Sequence, residues 1–122
     1  MPAQRDLRRS DALPAMRLVE FHILLSLAAG ERHGYGIIQD AEARGVGAVP
    51  DVGTLYRALA RMSEQGLIAA AHRRRAPDAA DERRHYYRIT PQGLSVARAE
   101  AKRLATLTRA AQLGGLLPEG AL

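Results

Sequence analysis

A hydroxyl and two guanidinium groups recur at helical spacing in the middle of the chain. Thr54, Arg57 and Arg61 lie three and four residues apart, so in an α-helix they would share one face. The intervening apolar residues would form the opposite, buried face, which consists of Leu55, Leu59 and Met62. Such a helix suits insertion into the DNA major groove, where arginine binds guanine edges or phosphates. The same pattern also fits an ordinary surface helix with solvated arginines.

The residues that flank this segment predict where the helix begins and ends. Asp51, after Pro50, can cap the first turn because its carboxylate can accept a backbone N–H. Gly66 can adopt the left-handed conformation that ends a helix before the apolar pair Leu67-Ile68. We therefore predict one helix between Asp51 and Gly66 that packs on one side and is basic on the other.

The composition favours an acidic partner. The 122 residues suffice for one domain and carry 18 Lys and Arg against 13 Asp and Glu, which gives a net charge of +5. Nucleic acid or an anionic surface would suit this basic balance. Every basic residue except Lys102 is an arginine, which can bind phosphate or guanine bidentately. Arginine enrichment is equally what a GC-rich genome produces.

Residues suited to catalysis or metal binding are sparse. The absence of cysteine excludes disulfides, thiolate metal sites and thiol nucleophiles. The four histidines show no recognised ligand spacing, and the sequence contains neither a Gly-rich phosphate loop followed by Lys nor a Ser elbow. His22 falls within an apolar helical pattern, so we interpret it as a hydrogen-bonded core or interface histidine. We predict a protein that is not an enzyme and uses no metal or cofactor.

No segment is apolar enough to suggest a membrane. The longest apolar stretch, Ile23 to Ala29, contains Ser26 and falls short of the roughly 20 residues that a bilayer requires. The N-terminal region has arginines but no adjacent apolar run with a cleavage site, which argues against a signal peptide. We expect a cytoplasmic protein without a membrane partner, associated with the nucleoid if the source is a bacterium.

Two further helices are predicted ahead of the basic one. Residues 1–13 are polar and basic without an apolar period, and we interpret them as a flexible arm. Apolar periodicity predicts a central helix from Pro14 to Ala29 and a second helix from about Tyr35 to Arg44. Residues 45–50 form the turn before the basic helix, so the pair is predicted as a helix-turn-helix.

A β-hairpin is predicted after the basic helix. Residues 68–74 and 83–90 favour strands, and residues 75–82 form a polar tip between them. Basic residues on both strands could clamp the phosphate backbone of DNA. The candidates for this contact are Arg73, Arg74, Arg83 and Arg84. Acidic residues at the tip could pair with these arginines when DNA is absent.

A long helix is predicted to follow the hairpin. Thr90 can cap it and Pro91 suits its first position, and the pattern continues to about Gln112. Its inward positions alternate spacings of three and four, which is typical of a helix seam. They are Leu94, Ala97, Ala101, Leu104, Thr108 and Ala111. We predict that residues 91–113 form a homodimer interface, the alternative being a helix that folds back on its own core. Residues 114–122 would form a tail that docks on this helix or frays.

The predicted order of elements describes a winged helix-turn-helix over residues 14–90, mainly α with a small β-hairpin, followed by a dimerisation helix. Residues 17–111 also resemble the PadR family of bacterial transcriptional regulators. The motifs that carry this resemblance, in chain order, are Ile23-Leu-Leu-Ser-Leu27, His33-Gly-Tyr-Gly-Ile37, Gly53-Thr-Leu-Tyr-Arg57, Leu67-Ile68 and Arg84-His-Tyr-Tyr-Arg-Ile-Thr-Pro-Gln-Gly93.

The resemblance implies that Thr54, Tyr56 and Arg57 lie near DNA, with Tyr35 as a backbone contact or packing residue. Arg57 stands where the family most commonly has proline, and this departure could add a DNA contact. Apart from the resemblance, charge and position suggest Arg61 and the hairpin arginines as further DNA contacts. Gly53 would allow close approach to the DNA backbone. We expect the aromatic rings of Tyr35, Tyr86 and Tyr87 to be packed or half-buried.

The resemblance also implies a function. A homodimer would occupy a pseudo-palindromic operator in double-stranded DNA, place two helices in successive major grooves about 34 Å apart, and repress transcription. A small hydrophobic or aromatic effector near the dimer interface would relieve the binding. The alternative is a winged-helix protein-interaction module without sequence-specific DNA binding. Such a module would not need basic residues on both the helix and the hairpin.

Overall fold

A computed structural model describes residues 16–47, 49–71, 85–118 and 120. The described residues form four helices and three short strands. In chain order these are α1 (Leu18–Ala29), β1 (Arg32–His33), α2 (Gly34–Arg44), α3 (Val52–Glu64), β2 (Ile68–Ala71), β3 (Tyr86–Ile89) and α4 (Pro91–Leu113). The predicted fold class is confirmed. The predicted arm, residues 1–13, lies outside the described residues.

The three strands form an antiparallel sheet in the order β1-β3-β2. β2 and β3 are the two strands of the predicted hairpin, and Ile68 pairs with Ile89 at its base. β1 was not predicted: Arg32 pairs with Tyr87 and His33 with Tyr86 on the other edge of β3. Two residues are too few to show a periodicity, and β1 is a strand only because it pairs with β3, far along the chain.

The first helix begins later than predicted. α1 starts at Leu18, with Arg17 in an extended conformation as its N-cap, and not at Pro14. The Glu20 carboxylate accepts the backbone N–H of Arg17 at 3.0 Å, which satisfies a donor that the first turn leaves unpaired. This contact between Arg17 and Glu20 places the start of the helix at Leu18.

The core lies between α1 and the elements that surround it. α1 packs against α2, α3, β3 and α4, as expected of a central helix. Its buried leucine and isoleucine side chains meet apolar residues from α2, α3 and the base of β2. The largest fully buried apolar side chains are Ile23, Leu24, Ile37, Leu55, Leu59, Met62 and Ile68. The helix predicted from the spacing of Leu55, Leu59 and Met62 therefore does bury that face.

The start of α4 is joined to the segment that links α3 to β2. The Thr90 hydroxyl accepts the Gly93 backbone N–H at 3.0 Å and lies 2.6 Å from the carbonyl oxygen of Gly66, to which it can donate. A Cβ on Gly93 would collide with the carbonyl of Leu67. This close approach positions α4 relative to the hairpin.

Among the described residues, no helix is both long and apolar enough to cross a bilayer.

Candidate nucleic-acid interface

The ends of α3 follow the predicted pattern. Asp51 is the N-cap, and its Oδ1 accepts the backbone N–H of Thr54 at 2.8 Å. At the other end Gly66 has a φ of +78°, a left-handed conformation that lets Leu67 donate its N–H to the carbonyl of Met62 at 3.0 Å. Both the cap and the terminating glycine are confirmed.

α3 has a buried face and an exposed face. Leu55, Ala58, Leu59 and Met62 are buried, whereas Val52, Gly53, Tyr56, Arg57 and Ala60 are exposed. Because the buried face packs into the hydrophobic core, the orientation of the exposed face is fixed relative to the domain. Its N-terminal turn is open, and the cation on this face of the helix is Arg57.

Asp51, Thr54 and Arg57 form a chain of hydrogen bonds along the exposed face. The Thr54 hydroxyl donates to Oδ2 of Asp51 at 3.1 Å and accepts an N–H from Nη2 of Arg57 at 3.3 Å. The backbone N–H of Thr54, then its hydroxyl, lowers the pKa of the Asp51 carboxyl, and the charge of Arg57 lowers it further. The carboxylate therefore stays ionised at neutral pH beside the guanidinium.

Arg61 does not share this face, although its spacing from Arg57 suggested that it would. Its Nε and Nη2 donate to Oε2 of Glu20 at 3.2 and 3.0 Å, and only 34% of the Arg61 side chain is exposed. The pair ties α3 to the first turn of α1. Arg61 is one turn beyond Arg57, at the edge of the buried face next to Ala58, where α1 supplies a carboxylate. The helical spacing alone does not reveal that carboxylate.

Tyr56 packs across the start of α2. A Cβ on Gly34 would lie 2.5 Å from the Tyr56 hydroxyl oxygen and 2.7 Å from its Cζ, so only glycine leaves room for the ring. Burial raises the pKa of Tyr87, and the neighbouring Tyr56 adds to this rise. Tyr56 therefore joins α3 to α2 and faces β3, with about half of its surface still open to solvent.

The expectation that Tyr35 would be packed is wrong. Its neighbours Gly34 and Gly36 are buried, and the Tyr35 side chain between them is 58% exposed. Tyr86 and Tyr87 are half-buried as predicted. The Tyr86 ring meets the imidazole of His33 edge to face, with 5.2 Å between centroids.

The predicted hairpin arginines, Arg73, Arg74, Arg83 and Arg84, lie outside the described residues. The described part of β3 adds Arg88, which is exposed and pairs with Ala69 of β2. Tyr87 and Ile89 on either side of it pack against the core. The alternation of side chains along a strand would therefore identify Arg88 as an outward cation, in addition to the predicted DNA contacts.

The predicted seam of α4 divides into two parts. Leu94 and Ala97 are half-buried, and Ala97 packs against the core of the domain. Ala101 and Leu104 are exposed, and Thr108 and Ala111 are half-buried further along. The exposed apolar surface also includes Leu107 and Leu113, which are 53% and 75% exposed. The hydrophobic core of the domain therefore covers only the first half of α4, and the second half leaves leucine side chains exposed.

The predicted interpretation of His22 as a hydrogen-bonded core histidine is confirmed. Nη1 of Arg44 lies 2.9 Å from Nδ1 of His22, and Nη2 of Arg44 donates to the Ser26 hydroxyl at 2.9 Å. Burial lowers the pKa of His22, and the positive charge of Arg44 lowers it further. This cluster joins the end of α2 to the middle of α1.

Within the described ranges, His, Asp and Glu side chains form no group of three that could hold a metal ion.

Comparison with known proteins extends this description. The family model described as transcriptional regulator PadR-like family matches residues 23–99. A transcriptional regulator from Clostridium thermocellum is 27% identical, with a TM-score of 0.64, over 77% of this chain and 86% of that one. A PadR family transcription regulator from Clostridium difficile is 22% identical, with a TM-score of 0.67, over 80% and 97%.

A third solved structure is that of Bacillus subtilis PadR in complex with operator DNA. It is 22% identical, with a TM-score of 0.57, and the match covers 69% of this chain but only 46% of that one. Comparison with the curated proteins returns no match.

The Glu20–Arg61 pair should stabilise the domain. We expect Arg61→Ala to lower the free energy of unfolding by about 1–2 kcal/mol, because it removes the guanidinium from a mostly buried carboxylate and leaves that group the backbone N–H of Arg17. Urea denaturation of Glu20→Ala, Arg61→Ala and the double variant would give a coupling energy of about 1 kcal/mol. Arg57→Ala, on the exposed face, is the control and should change stability by less than about 0.5 kcal/mol. A coupling energy of zero would contradict this assignment.

The His22 cluster should make stability depend on pH. Burial and Arg44 hold the pKa of His22 in the folded protein below the ordinary histidine value of about 6.5, so below this pH the unfolded chain binds a proton that the folded chain rejects. Stability is therefore lost as the pH falls from 7 to 5. His22→Asn keeps an acceptor near Nδ1 without a titrating ring and should lose less over this range. The other histidines are common to both proteins, so equal losses would refute the role of His22.

Proposed function

This chain belongs to the PadR-like family of transcriptional regulators, and on that premise we propose that it binds an operator sequence as a homodimer and represses transcription. The observation that supports this most directly is the exposed N-terminal turn of α3, whose opposite face is held by the core. That geometry suits a helix that enters the major groove with its first residues foremost. The operator-bound structure of Bacillus subtilis PadR, with a similar fold, also supports the proposal.

The proposed contacts fall into two classes. Gly53, Thr54 and Arg57 lie on the exposed turn of α3 and would face the groove, where base edges can be read. Tyr56, whose hydroxyl packs against Gly34, would lie beside them with its exposed part near the DNA. Tyr35 and the hairpin arginines would contact the phosphate backbone and set the position of the domain. In this role we add Arg88 of β3 and exclude Arg61, because Glu20 already occupies its guanidinium. A protein with these contacts would act in the cytoplasm, on the nucleoid.

The homodimer is proposed to form through α4. The uncovered half of this helix carries Leu104, Leu107 and Leu113, and burying apolar side chains of this size against a second copy would stabilise the assembly. The first half of α4 is fixed to the DNA-binding domain, so a dimer contact along the second half would also set the distance between two α3 helices. A spacing of about 34 Å would match two half-sites one turn apart.

An effector is proposed to act on that spacing. A small hydrophobic or aromatic molecule that binds near the α4 interface would relieve repression if it favours an arrangement in which the two α3 helices no longer match the operator. Its effect on DNA affinity could not exceed its own difference in affinity for the two arrangements. This part of the proposal rests on the resemblance to the family.

Binding to DNA from upstream of the chain's own gene tests the function. We expect the purified protein to bind this fragment more tightly than random DNA, and affinity to fall steeply as salt increases, because arginines displace counterions from phosphates. The double variant Leu104→Glu, Leu107→Glu should sediment as a single 13.2 kDa chain. It should bind the fragment at least about 100-fold more weakly, because each half-site is then bound alone.

Thr106→Glu is the control, since it introduces a glutamate, as each change of the double variant does, at an exposed position on a different face of α4. It should remain a dimer and bind as the unmodified protein does. Equal, weak binding to both fragments that changes little with salt would contradict the proposal and favour a protein-interaction module. A double variant that is still dimeric would contradict the assignment of the interface alone.

A further inference from the structure

We infer that Arg57 is the specificity-determining residue that reads a guanine in the operator, and that Asp51 and Thr54 hold its guanidinium in position. This inference rests on the proposed DNA binding and adds to it the base and the residues that select it. The choice for Arg57 is between a base edge and a phosphate, since arginine binds both. Three features of α3 favour the base edge.

The first feature is the direction of the Arg57 side chain. A Cβ on Gly53 would lie 3.3 Å from Nη1 of Arg57 and 3.4 Å from Oδ1 of Asp51. The guanidinium therefore folds back over Gly53, toward the N-terminal turn. In a helix that enters the major groove, this turn comes closest to the base edges. Gly53 leaves the space that the guanidinium occupies.

The second feature is the anchoring of the guanidinium. Asp51 is fixed to the helix by the Thr54 backbone N–H at 2.8 Å, the Thr54 hydroxyl donates to Asp51 at 3.1 Å, and Arg57 donates to that hydroxyl at 3.3 Å. One donor of the five on Arg57 is thereby used to orient the group. An arginine oriented before binding loses less side-chain entropy when it forms two parallel hydrogen bonds to O6 and N7 of guanine.

The third feature is the local charge. The ionised carboxylate of Asp51 lies beside Arg57 and offsets its positive charge, which weakens attraction to a phosphate but leaves the directed N–H donors available. Arg32, Arg61 and Arg103 instead face carboxylates directly, at 3.2, 3.0 and 2.6 Å. Arg57 has its described hydrogen bond to a neutral hydroxyl, as Arg44 has to Ser26, but Arg57 is exposed whereas Arg44 is held between two helices.

A panel of operator fragments tests the inference. Each G·C pair of a half-site is replaced in turn, and the affinities of the unmodified protein and Arg57→Ala are measured on every fragment. We expect the unmodified protein to lose roughly 5- to 150-fold at one such pair. Arg57→Ala should bind the intact fragment and that substituted fragment equally, while it still discriminates at the other positions.

Conservative variants test the positioning role. Thr54→Val removes the hydroxyl while keeping the shape, and Asp51→Asn keeps a good helix cap but only one acceptor oxygen. Both should reduce the discrimination at the same base pair without reducing the salt dependence of binding. Thr54→Ser, which keeps a hydroxyl, should retain the discrimination at this base pair. Discrimination that is unchanged in Thr54→Val would overturn the role of Thr54.

The remaining outcomes separate this inference from the proposed function. If Arg57→Ala weakens binding equally on all fragments and lowers the salt slope by about two, one for each protomer, Arg57 contacts a phosphate and the inference is overturned. If Arg57→Ala discriminates as the unmodified protein does, the inference also fails, although the proposed function stands. If the unmodified protein binds all substituted fragments alike, no G·C pair is read and the inference fails. Sequence-specific binding itself fails only if the protein also binds random DNA as tightly as the operator fragment.

Discussion

The burial of α1 is the constraint on which the rest of the structure depends. Ile23 and Leu24 are fully buried, and their surroundings come from α2, α3, the sheet and α4. Two polar contacts fix α1 along its length: Glu20 binds Arg61 of α3, and His22 and Ser26 contact Arg44 of α2. Because α2 and α3 are both held to α1, the angle between them, and with it the presentation of α3, follows from this one packing arrangement.

The arginines of the chain therefore serve different purposes, which the net charge does not reveal. Arg44 and Arg61 connect helices, and Arg103 holds the buried carboxylate of Glu100 with two hydrogen bonds. Arg57 and Arg88 remain at the exposed surface of α3 and β3. A strongly basic chain is thus compatible with a small set of cations in the proposed DNA interface, because several arginines are already paired within the protein.

Features set by neighbouring residues could be predicted from the sequence. Asp51 caps α3 because Thr54 is three residues away, and Gly66 ends it because a left-handed residue was needed before Leu67. Features set by distant residues could not. Helical spacing places Arg61 on the exposed face, but its partner, Glu20, is 41 residues earlier, and β1 is a strand only because it pairs with β3. The hydrogen bond from Arg57 to Thr54 joins residues only three positions apart. The side-chain conformation of Arg57 that makes this bond depends on the free space above Gly53.

The most direct test of the central claim, that α3 enters the major groove with its N-terminal turn foremost, is methylation interference on the operator fragment. Dimethyl sulfate modifies N7 of guanine, which lies in the major groove. We expect methylation of a guanine in each half-site to abolish binding, with the two positions about one helical turn apart on the same side of the DNA. Binding that is undisturbed by N7 methylation at every guanine would contradict the account, because these methyl groups project into the groove that α3 would occupy.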